Sequence, residues 1–377
     1  MAHSRYTSGA VSGENRTVGD EVELLRGRGH EVDLFDPQVS NGGVLQLART
    51  AVDAIWCERA RAELRRRIGV LNPDVVHVHN LFPALSPAVL RTAKKCGVPV
   101  VMTLHNYRLL CLPATFLRDG AICEQCLGKA PLPGIRYRCY RGSTVASASY
   151  AASLMVHRGI NSFDIVSRFV AVSEFVKAVH VRAGLPADKF AVRHNFAWDV
   201  AARPREGYFI YLGRLSEEKG ADVIVDAWSA APGELLVVGD GPERARLEAR
   251  ARGRIRFTGP VPPARALELL AGARALLIPS RCYEGSPKTV GEAFAAGVPV
   301  IASDIGALPE FVRDDATGLL VAPGNTAGWV EAAARLMDDA LADRLGGEAR
   351  AEWERRFNPG RSIEQIESIY AEVAASQ

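Results

Sequence analysis

One stretch of the 377-residue chain, Glu284-Gly285-Ser286-Pro287-Lys288-Thr289-Val290-Gly291-Glu292, carries the most structural information. Serine is a favoured helix N-cap and proline suits the first helical position, so the stretch predicts a helix that begins at Ser286-Pro287. Gly297 is a typical helix end, and the apolar run Val298–Ala302 after it predicts a buried strand. The first glutamate is therefore expected in the loop before the helix, and the second inside the helix.

The first turn of this predicted helix has the composition of an anion site. Lys288 is a cation at a position where the helix dipole disfavours one, unless an anion binds there as well. Glu284 and Glu292 would flank that anion. Two carboxylates on either side of an anion site suit a diphosphate ligand that carries a sugar at each end, and the stretch predicts a binding site for such a ligand.

Composition and charge describe a globular protein without a bias toward nucleic acid. Hydrophobic residues make up 48% and charged residues 24% of the chain, and the formal net charge is +3. A charge this small, without a basic and aromatic stripe, does not indicate nucleic-acid binding. No apolar stretch has membrane-spanning length and no signal peptide opens the sequence, so we expect a cytoplasmic enzyme. The sequence makes no prediction of oligomeric state.

Short apolar runs alternate with helix-period stretches along the chain, which is typical of βαβ units with parallel sheets. In the first half, the predicted strands are Glu31–Phe35, Val75–His79, Val98–Leu104, Phe169–Val172 and Phe190–His194. In the second half, they are Tyr208–Leu212, Glu234–Val238, Ile255–Thr258, Ala275–Ile278, Val298–Ala302 and Gly318–Val321. We expect two doubly wound α/β sheets with a cleft between them and a ligand at the carboxyl ends of their strands.

The polar stretch Asp199–Gly207 separates the two series of strands and is the predicted linker. We therefore expect one α/β domain in residues 1–200, with an irregular insert at 106–142, and a second α/β domain in residues 201–360. Residues 361–377 have helical spacing, and we expect them to form a final helix that packs back toward the first domain.

The beginning of the chain departs from this pattern. A helix is predicted over Glu14–Arg28 and should follow a strand, yet only Met1–Tyr6 is available for it. Either the first strand is very short, or the printed sequence begins inside it.

Two cations follow the first strand of the second half, at the carboxyl edge where parallel sheets commonly bind phosphates. Strand Tyr208–Leu212 ends in Gly213-Arg214-Leu215-Ser216-Glu217-Glu218-Lys219-Gly220. The guanidinium fork of Arg214 and the ammonium of Lys219 suit a diphosphate, and can stabilise it as a leaving group without a metal. Taken alone, both cations are explained equally well as solvated partners of the two neighbouring glutamates.

Two further strand ends carry glycine turns. Gly239, in Val238-Gly239-Asp240-Gly241-Pro242, would let a ligand approach the backbone. Val261, in Gly259-Pro260-Val261, would line a base pocket through main-chain groups. An ordinary strand-to-helix turn explains either sequence by itself.

In this order, Gly-Arg-Leu-x4-Gly from Gly213, Gly-Asp-Gly-Pro from Gly239 and the Glu-x7-Glu helix resemble the retaining group 1 (family 4) glycosyltransferases. This family has the GT-B fold and includes the phosphatidylinositol mannosyltransferases and sucrose synthases. The resemblance covers nearly the whole chain and implies two Rossmann-like domains that face across a cleft. It implies transfer of a sugar from a UDP- or GDP-linked donor to a hydroxyl acceptor, with no cofactor in catalysis. The implied acceptors are a polysaccharide, a lipid-linked sugar or a secondary metabolite.

The resemblance also implies roles for individual residues. Arg214 and Lys219 would hold the donor diphosphate, Glu292 would bind the ribose hydroxyls and Glu284 would contact the transferred sugar. The predicted catalytic set is His105, Arg214, Lys219 and Glu284. The predicted donor-binding set is Gly13, Gly213, Arg214, Lys219, Gly239, Val261, Gly285, Ser286, Pro287, Lys288 and Glu292.

Other matches to the family lie in the first half of the chain. Ser12-Gly13-Glu14-Asn15-Arg16 resembles the family's loop beside the donor phosphates, although Ser12-Gly13 replaces the usual two glycines. His105, at the end of a predicted strand, matches the histidine that contacts the donor sugar. A lone histidine at a strand end is more often structural, but the motif and the expected cleft position favour function. Ser173 and Glu174 match a turn that faces the cleft.

Gly291 is a second departure from the family, which mostly carries a bulkier residue just before the second glutamate. Glycine inside a helix costs about 1 kcal/mol relative to alanine. We expect Gly291 either to widen the nucleotide pocket or to be a tolerated substitution.

The irregular stretch that follows His105 contains four of the seven cysteines and several prolines. The spacing C-x11-C-x2-C-x12-C would satisfy a tetrahedral structural zinc ion. Free thiols and disulfides are the alternatives, and a reducing cytoplasm disfavours the disulfides. We predict structural zinc on Cys111, Cys123, Cys126 and Cys139.

The segment Glu58–Arg67 is predicted to form a basic helix. Family members that act on lipid acceptors dock on membranes through such surfaces, which implies weak contact with the inner face of the membrane. A solvated helix face with internal salt bridges is the favoured interpretation.

Two other functions fit the same architecture. Nucleotide-sugar epimerases share it, but they need acid and base residues for proton abstraction rather than the Glu-x7-Glu helix. A binding subunit that retained the nucleotide site and lost transfer is the second alternative. The presence of Arg214, Lys219, Glu284 and Glu292 argues against it.

Overall fold

The computed structural model describes residues 1–5, 12–38 and 44–376, without the side chains of residues 44–48. The chain divides into two compact units. Unit 1 comprises Met1–Phe116, Glu124–Arg193 and Ile363–Gln377, and unit 2 comprises Leu117–Cys123 and His194–Ser362. Each unit is built on a parallel sheet with helices.

The strands, in chain order, are β1 Val76–Val78, β2 Val100–Leu104, β3 Leu117–Arg118, β4 Ala121–Ile122, β5 Arg168–Ala171, β6 Phe190–Val192, β7 Tyr208–Leu212, β8 Glu234–Val238, β9 Ile255–Gly259, β10 Ala275–Ile278, β11 Val300–Ser303 and β12 Gly318–Val321. Unit 1 holds a four-stranded sheet of order β1-β2-β5-β6, and unit 2 a six-stranded sheet of order β12-β11-β10-β7-β8-β9. Every pairing within these two sheets is parallel. The strands β3 and β4 form a small antiparallel hairpin.

The α-helices are α1 Gly13–Gly27, α2 Val44–Ile55, α3 Glu58–Leu71, α4 Ala88–Lys95, α5 Leu132–Arg136, α6 Thr144–Gly159, α7 Glu174–Arg182, α8 Ala221–Ala227, α9 Arg244–Arg250, α10 Pro263–Ala271, α11 Lys288–Ala295, α12 Leu308–Phe311, α13 Thr326–Arg335, α14 Asp339–Glu352 and α15 Pro359–Ala375. Short 3₁₀ turns lie at Phe163–Ile165, Ala187–Lys189 and Glu217–Lys219, and a π-helical turn at Trp353–Phe357 follows α14.

The strands of unit 2 follow the sequence closely because they are apolar runs buried in the sheet. Phe209, in β7, and Trp228, after α8, pack in one apolar core with Trp329 of α13. The predicted bounds agree with the structure residue for residue in β7, β8, β10 and β12. The other two strands of this sheet differ from the prediction at their ends, since β9 extends to Gly259 and β11 begins at Val300.

The first strand of unit 1 is a very short extended segment. Ala2 forms parallel bridges with both Phe35 and Val78. Its N–H donates to the carbonyl of His77 at 2.8 Å, and its carbonyl accepts from the N–H of His79 at 3.0 Å. Of the predicted strand Glu31–Phe35, Phe35 forms one bridge and residues 31–34 form no strand, because the partner segment is so short. Tyr6, the last residue of the predicted first strand, lies outside the described residues.

The chain passes into unit 2 at His194, which is earlier than the predicted boundary between residues 200 and 201. Residues after His194 already bond to unit 2. Ala197 donates its N–H to the carbonyl of Phe357 at 2.9 Å, and Trp353 Nε1 donates to the carbonyl of Ala197 at 3.0 Å. Asp199, in the predicted linker, accepts from Arg350 at 2.6 Å. These contacts fix the segment in unit 2.

Two more segments differ from the predicted domain organisation. The hairpin within Leu117–Cys123, inside the predicted insert, belongs to unit 2. The last helix, α15, begins at Pro359 rather than at residue 361, and from Ile363 it belongs to unit 1. There Tyr370 Oη lies 2.6 Å from Nδ1 of His77, and Ile366 joins an apolar cluster with strands β2 and β5.

The helix that contains Glu292 begins later than predicted. Pro287 is the N-cap of α11 rather than its first residue, and the N-cap has no side-chain hydrogen bond. The hydroxyl of Ser286 instead accepts from the N–H of Asn195 at 3.4 Å. The C-terminal end is as predicted, since Gly297 has a φ of +68° and follows the last turn.

Candidate active site

Glycines bring the loops at the carboxyl edge of the unit 2 sheet into backbone contact. Gly239, after β8, has a φ of +139°, and a Cβ there would lie 1.9 Å from the carbonyl oxygen of Gly213, after β7. A Cβ at Gly220 would lie 2.0 Å from the carbonyl oxygen of Pro279, after β10. The loops after these three strands therefore pack directly on one another, and this packing explains the glycines without a ligand.

This packing brings together Lys219 and Glu284, which are far apart in sequence. Nζ of Lys219 donates to Oε1 of Glu284 at 2.7 Å. The hydroxyl of Ser280, two residues after β10, donates to the same oxygen at 2.5 Å. The lysine side chain is 35% exposed and the glutamate side chain 11% exposed. The pair is thus fixed by the fold and still open to solvent.

The carboxylate determines the charge state of the lysine. Burial by itself lowers the pKa of Lys219, but the negative charge of Glu284 outweighs it and holds that pKa above its usual value. Lys219 therefore remains an ammonium ion at neutral pH, and it is able to bind a phosphate.

Arg214 belongs to the same segment after β7 as Lys219. Its backbone carbonyl accepts a hydrogen bond from Tyr211 Oη at 2.6 Å, which fixes the loop. Its side chain is exposed, and no hydrogen bond or ion pair of its guanidinium is found in the part of the chain that the structure describes. The guanidinium is consequently available to an anionic ligand.

The second glutamate of the motif lies one turn into α11. Glu292 is 3% exposed, whereas Lys288, at the start of the helix, is half-buried. Nζ of Lys288 lies 5.5 Å from the ring centroid of Phe196, a cation–π distance. The aromatic ring thus offsets part of the unfavourable effect of a cation in the first helical turn.

The loop before α11 is held by a residue that the sequence did not indicate. Nδ2 of Asn195 donates to the carbonyl of Ser286 at 2.9 Å. Asn195, like Ser280, has no motif of its own. The signal that would have found Ser280 is its position directly after a buried strand, where the predicted site residues also lie.

The other predicted donor-binding residues of unit 2 are also at this end of the sheet. Gly285 and Pro287 lie between β10 and α11, and the half-buried Val261 lies between β9 and α10. Their backbone groups, together with those of Gly213 and Gly239, belong to loops that follow four different strands. Their role in donor binding stays a prediction.

Gly291 is explained by packing within unit 2. A Cβ at this position would lie 3.2 Å from Cβ of Ala197 and 3.9 Å from Cβ of Phe357. The first distance is tighter than an ordinary van der Waals contact. The absent side chain lets α11 pack against the segment around Ala197, so neither of the two explanations expected from the sequence is needed.

In unit 1, the predicted residues lie at the ends of structural elements. Gly13 is the first residue of α1, and Ser12 is its N-cap, with a hydroxyl that accepts from the N–H of Asn15 at 3.4 Å. Ser173 is the N-cap of α7 and accepts from the N–H of Val176 at 3.1 Å. Ser173 thus has a structural role, and Glu174, beside it, is exposed.

His105 directly follows β2 and is stacked on a second histidine. Its Nε2 lies 2.9 Å from Nδ1 of His79, and the ring centroids are 5.2 Å apart. Burial lowers the pKa of His105 to about 4 and that of His79 well below its usual value. Both imidazoles are therefore neutral at physiological pH.

A buried acid lies behind these histidines. Glu21 of α1 accepts from the guanidinium of Arg193, and its Oε1 lies 3.2 Å from Nδ1 of His77 and 3.9 Å from Nε2 of His79. Burial alone raises the pKa of Glu21, but Arg193 and His77 outweigh it and hold that pKa well below its usual range. The acid is consequently ionised.

Within the described ranges, Glu21, His77 and His79 are the one group of at least three His, Cys, Asp or Glu residues with ligand atoms within 4.8 Å of one another. We interpret this group as a hydrogen-bonded cluster. Arg193 already neutralises the carboxylate, and the two nitrogens of His77 lie 2.6 Å from Tyr370 Oη and 2.7 Å from Thr103 Oγ1.

The four cysteines of the insert are not joined by disulfides, and in the described part of the chain they do not form a group of this kind. Burial raises the pKa of the Cys111 thiol to about 12, and Cys126 adds to the effect through its charge. The Cys111 thiol is therefore uncharged at neutral pH. The predicted zinc ion stays a prediction.

Known structures share the architecture of this chain. Sucrose-phosphate synthase from Thermosynechococcus elongatus superposes with a TM-score of 0.73 at 19% identity, over 100% of this chain and 99% of that one. Anabaena Alr3699/HepE, solved in complex with UDP, superposes with a TM-score of 0.68 at 17% identity, over 98% of each chain. The protein thus has the two-domain α/β GT-B fold, as the sequence predicted.

Sequence comparison then gives the family. The phosphatidyl-myo-inositol mannosyltransferase of Mycobacterium leprae (strain TN) is 34% identical over 98% of this chain and 96% of that protein. The family described as "Glycosyl transferases group 1" matches residues 206–339, and the one described as "Glycosyltransferase Family 4" matches residues 11–197. The chain belongs to the group 1 glycosyltransferases, which confirms the predicted family and the predicted class of enzyme.

Proposed function

We propose that this glycosyltransferase moves a sugar from a UDP- or GDP-linked donor to a hydroxyl acceptor, with retention at the anomeric carbon. The observation that carries the proposal is the pair of Lys219 and Glu284 at the carboxyl edge of the unit 2 sheet. A cation suited to phosphate and a carboxylate suited to sugar hydroxyls are joined there in one partly exposed site, and the exposed Arg214 belongs to the same segment after β7 as Lys219.

Donor binding would exchange the partners of this pair. The diphosphate would bind Lys219 and Arg214, because phosphate oxygens form charge-assisted hydrogen bonds with both cations. Glu284, still held by Ser280, would then accept hydrogen bonds from the hydroxyls of the transferred sugar. Glu292 would accept from the ribose hydroxyls.

Backbone groups would supply most of the remaining donor contacts. Glycines and a helix N-terminus allow close approach of the main chain to phosphate oxygens. The residues to which we assign this role are Gly213, Gly239, Val261, Gly285, Ser286, Pro287 and Lys288 in unit 2, and Gly13 in unit 1. His105 would contact the transferred sugar.

In the proposed reaction, the acceptor oxygen bonds to the anomeric carbon while the bond from that carbon to the donor phosphate breaks. The acceptor proton passes to a phosphate oxygen, so the products are the glycosylated acceptor and a nucleoside diphosphate. Lys219 and Arg214 stabilise the charge that develops on the departing phosphate, and one such group contributes about 10²- to 10³-fold in kcat. Two cations meet this need without a catalytic metal. A covalent glycosyl-enzyme is not required.

The donor is tested first, by thermal shift with a panel of UDP- and GDP-sugars. A donor that binds the native state raises the midpoint of unfolding by mass action. We expect one nucleotide sugar to raise Tm in the wild type and to do so less in Glu292→Gln. A panel without any shift, or a shift that the variant keeps in full, would contradict the proposed donor site.

The reaction is tested next, by NMR of the product formed from that donor. We expect the anomeric configuration of the donor to persist in the product. Inversion would contradict retention. Conversion of the donor to an epimer without acceptor would favour the epimerase, and donor binding without any turnover would favour the binding subunit.

For the acceptor we propose a polysaccharide, a lipid-linked sugar or a secondary metabolite, and for the location the cytoplasm, with weak contact at the inner face of the membrane. None of the helices in the described part of the chain is long and apolar enough to cross a bilayer.

The basic helix α3 has paired charges, since Arg66 and Arg67 both donate to Glu63, and Arg59 donates to Asp53. This pairing favours the solvated interpretation of α3. Co-sedimentation with anionic vesicles tests the membrane contact, and a protein left in the supernatant would contradict it.

Structural zinc on Cys111, Cys123, Cys126 and Cys139 is a separate proposal. Zinc would replace the four thiol protons and hold the irregular insert in one conformation. Metal analysis of the purified protein should find one zinc ion per chain, lost in Cys123→Ser. Protein without stoichiometric zinc would end this proposal.

A further inference from the structure

A line of buried polar groups in unit 1 leads to His105. The guanidinium of Arg193 donates to Glu21, whose Oε1 faces Nε2 of His79 at 3.9 Å. Nδ1 of the same histidine lies 2.9 Å from Nε2 of His105. A single protonation pattern of the two imidazoles suits this arrangement.

The acid decides where His79 carries its proton. Burial keeps His79 neutral, so one of its ring nitrogens is protonated and the other has a lone pair. At 3.9 Å from an ionised carboxylate in a buried site, a proton on Nε2 is attracted, whereas a lone pair there is repelled. The proton therefore lies on Nε2 of His79, and Nδ1 is an acceptor.

This choice in turn decides the tautomer of His105. Its Nε2 must carry the proton, because it faces the lone pair on Nδ1 of His79. The other nitrogen of His105, Nδ1, then has a lone pair. That atom is buried, and it has no hydrogen-bond partner in the described residues. His105 also lines a small cavity at the carboxyl end of β2, together with Asn80 and Asn106.

We propose that His79 is a positioning residue that fixes His105 as the Nε2-protonated tautomer, so that Nδ1 of His105 accepts a hydrogen bond from a hydroxyl of the transferred sugar. The identity of the ligand rests on the proposed function, whereas the tautomer does not. A hydroxyl both donates and accepts, and this tautomer uses only its donor side. The competing explanation is a purely structural pair of histidines that joins β1 to β2.

The tautomer is measured in the ligand-free protein, with ¹⁵N-labelled histidine and long-range ¹H–¹⁵N correlation spectra. The chain has eight histidines, which keeps the spectrum simple enough to assign by single substitutions. We expect His105 to be protonated on Nε2. In His79→Phe, which keeps a ring and removes the acceptor, we expect a mixture of tautomers. In His79→Asn, whose side-chain oxygen accepts from His105, we expect the wild-type tautomer to return.

His157→Phe is the matched control for the loss of a buried histidine. His157 is also fully buried in unit 1, where its nitrogens lie 2.7 Å from the carbonyl of Ile55 and 2.9 Å from Ser162 Oγ. We expect it to lower Tm without changing the tautomer of His105. A wild-type His105 protonated on Nδ1 would overturn the inference, as would an unchanged tautomer in His79→Phe.

Kinetics with fluorinated donors test the contact with the sugar. Fluorine replaces a hydroxyl without donating a hydrogen bond, so substitution at the recognised position should lower kcat/KM of the wild type by about 10- to 100-fold, because the buried acceptor is left unsatisfied. His79→Phe should lose a similar factor with the natural donor and little more with the fluorinated one. If fluorination lowered kcat/KM of His79→Phe by the same factor as it lowers that of the wild type, the contact between His105 and the sugar hydroxyl would be overturned. If no donor is turned over at all, the proposed function fails, and the spectra still decide the tautomer.

Discussion

The two units of the protein each contain an acid paired with a cation near the ends of parallel strands, but the two pairs differ in burial. In unit 1, the side chains of Glu21 and Arg193 are 1% and 5% exposed. In unit 2, those of Glu284 and Lys219 are 11% and 35% exposed. The two pairs have similar chemistry, and they differ in how far their side chains are exposed to solvent.

This difference indicates what each pair does. Removing one member of a buried pair leaves a charge without compensation in a low-dielectric site, which is strongly destabilising. A pair with a third of one side chain exposed is screened by water, so its partners can be exchanged for a ligand at little cost. We therefore assign Glu21 and Arg193 to the stability of unit 1, and Lys219 and Glu284 to ligand binding.

The largest effect is expected when the buried pair is broken. Arg193→Met should lower the free energy of unfolding by about 3–5 kcal/mol, because Glu21 would remain buried without its cation. Urea denaturation measures this change. Arg256→Met is the control, since Arg256 forms an exposed pair with Glu234 and should change stability by less than about 1 kcal/mol. Equal effects of the two variants would remove the distinction between buried and exposed pairs.

A backbone substitution at the unit 2 site should have the next largest effect. In Gly239→Ala, the new Cβ would lie 1.9 Å from the carbonyl oxygen of Gly213, at a φ that alanine rarely adopts. Overpacking and backbone strain together should cost about 2–4 kcal/mol. Gly347→Ala is the control, because a Cβ there meets nothing within 4 Å. Thermal unfolding of both variants tests this, and a stable Gly239→Ala would show that the loops are not packed as described.

Mild acid should weaken unit 1 more than unit 2. Burial lowers the pKa of His105, and also that of His180, from 6.5 to about 4, so the unfolded chain binds protons at pH 5 that the folded chain does not. Stability therefore falls as the pH decreases from 6.5 toward 4, by about 2 kcal/mol for each of these histidines at pH 5. The depressed pKa of Glu21 adds a loss at lower pH, once the pH falls through its folded value.

Hydrogen exchange at pH 7 and pH 5, corrected for the intrinsic rate, measures this contrast. Amides of β1 and β2 should lose protection at pH 5. Amides of β7 and β10 should not, because Lys219 titrates far above this range. Equal loss in both sheets would contradict the assignment of the acid sensitivity to unit 1.

The smallest effect is expected at Gly291. Alanine is favoured over glycine in a helix by about 1 kcal/mol, whereas the 3.2 Å approach to Cβ of Ala197 opposes it. Gly291→Ala should therefore change the free energy of unfolding by less than about 1 kcal/mol and leave the KM for the donor unchanged. A raised KM for the donor would indicate that Gly291 contributes to the nucleotide pocket.

The same contrast explains how much of the molecule could be predicted. In unit 2, apolar runs such as Glu234–Val238 are strands because sheet burial requires them, and their sequence pattern is local. Lys219 and Glu284 were predicted from motifs that follow such strands. That they contact each other depends on the packing of the loops around Gly220, which the sequence pattern does not contain.

In unit 1, the determining contacts are not local. Ala2 completes the sheet with single bridges, and one residue has no periodicity to detect. Glu21 lies inside the predicted helix Glu14–Arg28 without a motif of its own, yet it pairs with Arg193, which directly follows the distant strand β6. His79 follows β1 by one residue, but its partner His105 follows β2, so only the sheet register brings them together.

Transfer activity of Lys219→Ala tests the central claim most directly. The account predicts a fall in kcat of about 10²-fold or more with the donor found by thermal shift, because the departing phosphate loses a cation. It predicts a change of less than about 1 kcal/mol in the free energy of unfolding, since the pair with Glu284 is partly exposed. Wild-type transfer by a folded Lys219→Ala protein would contradict the account.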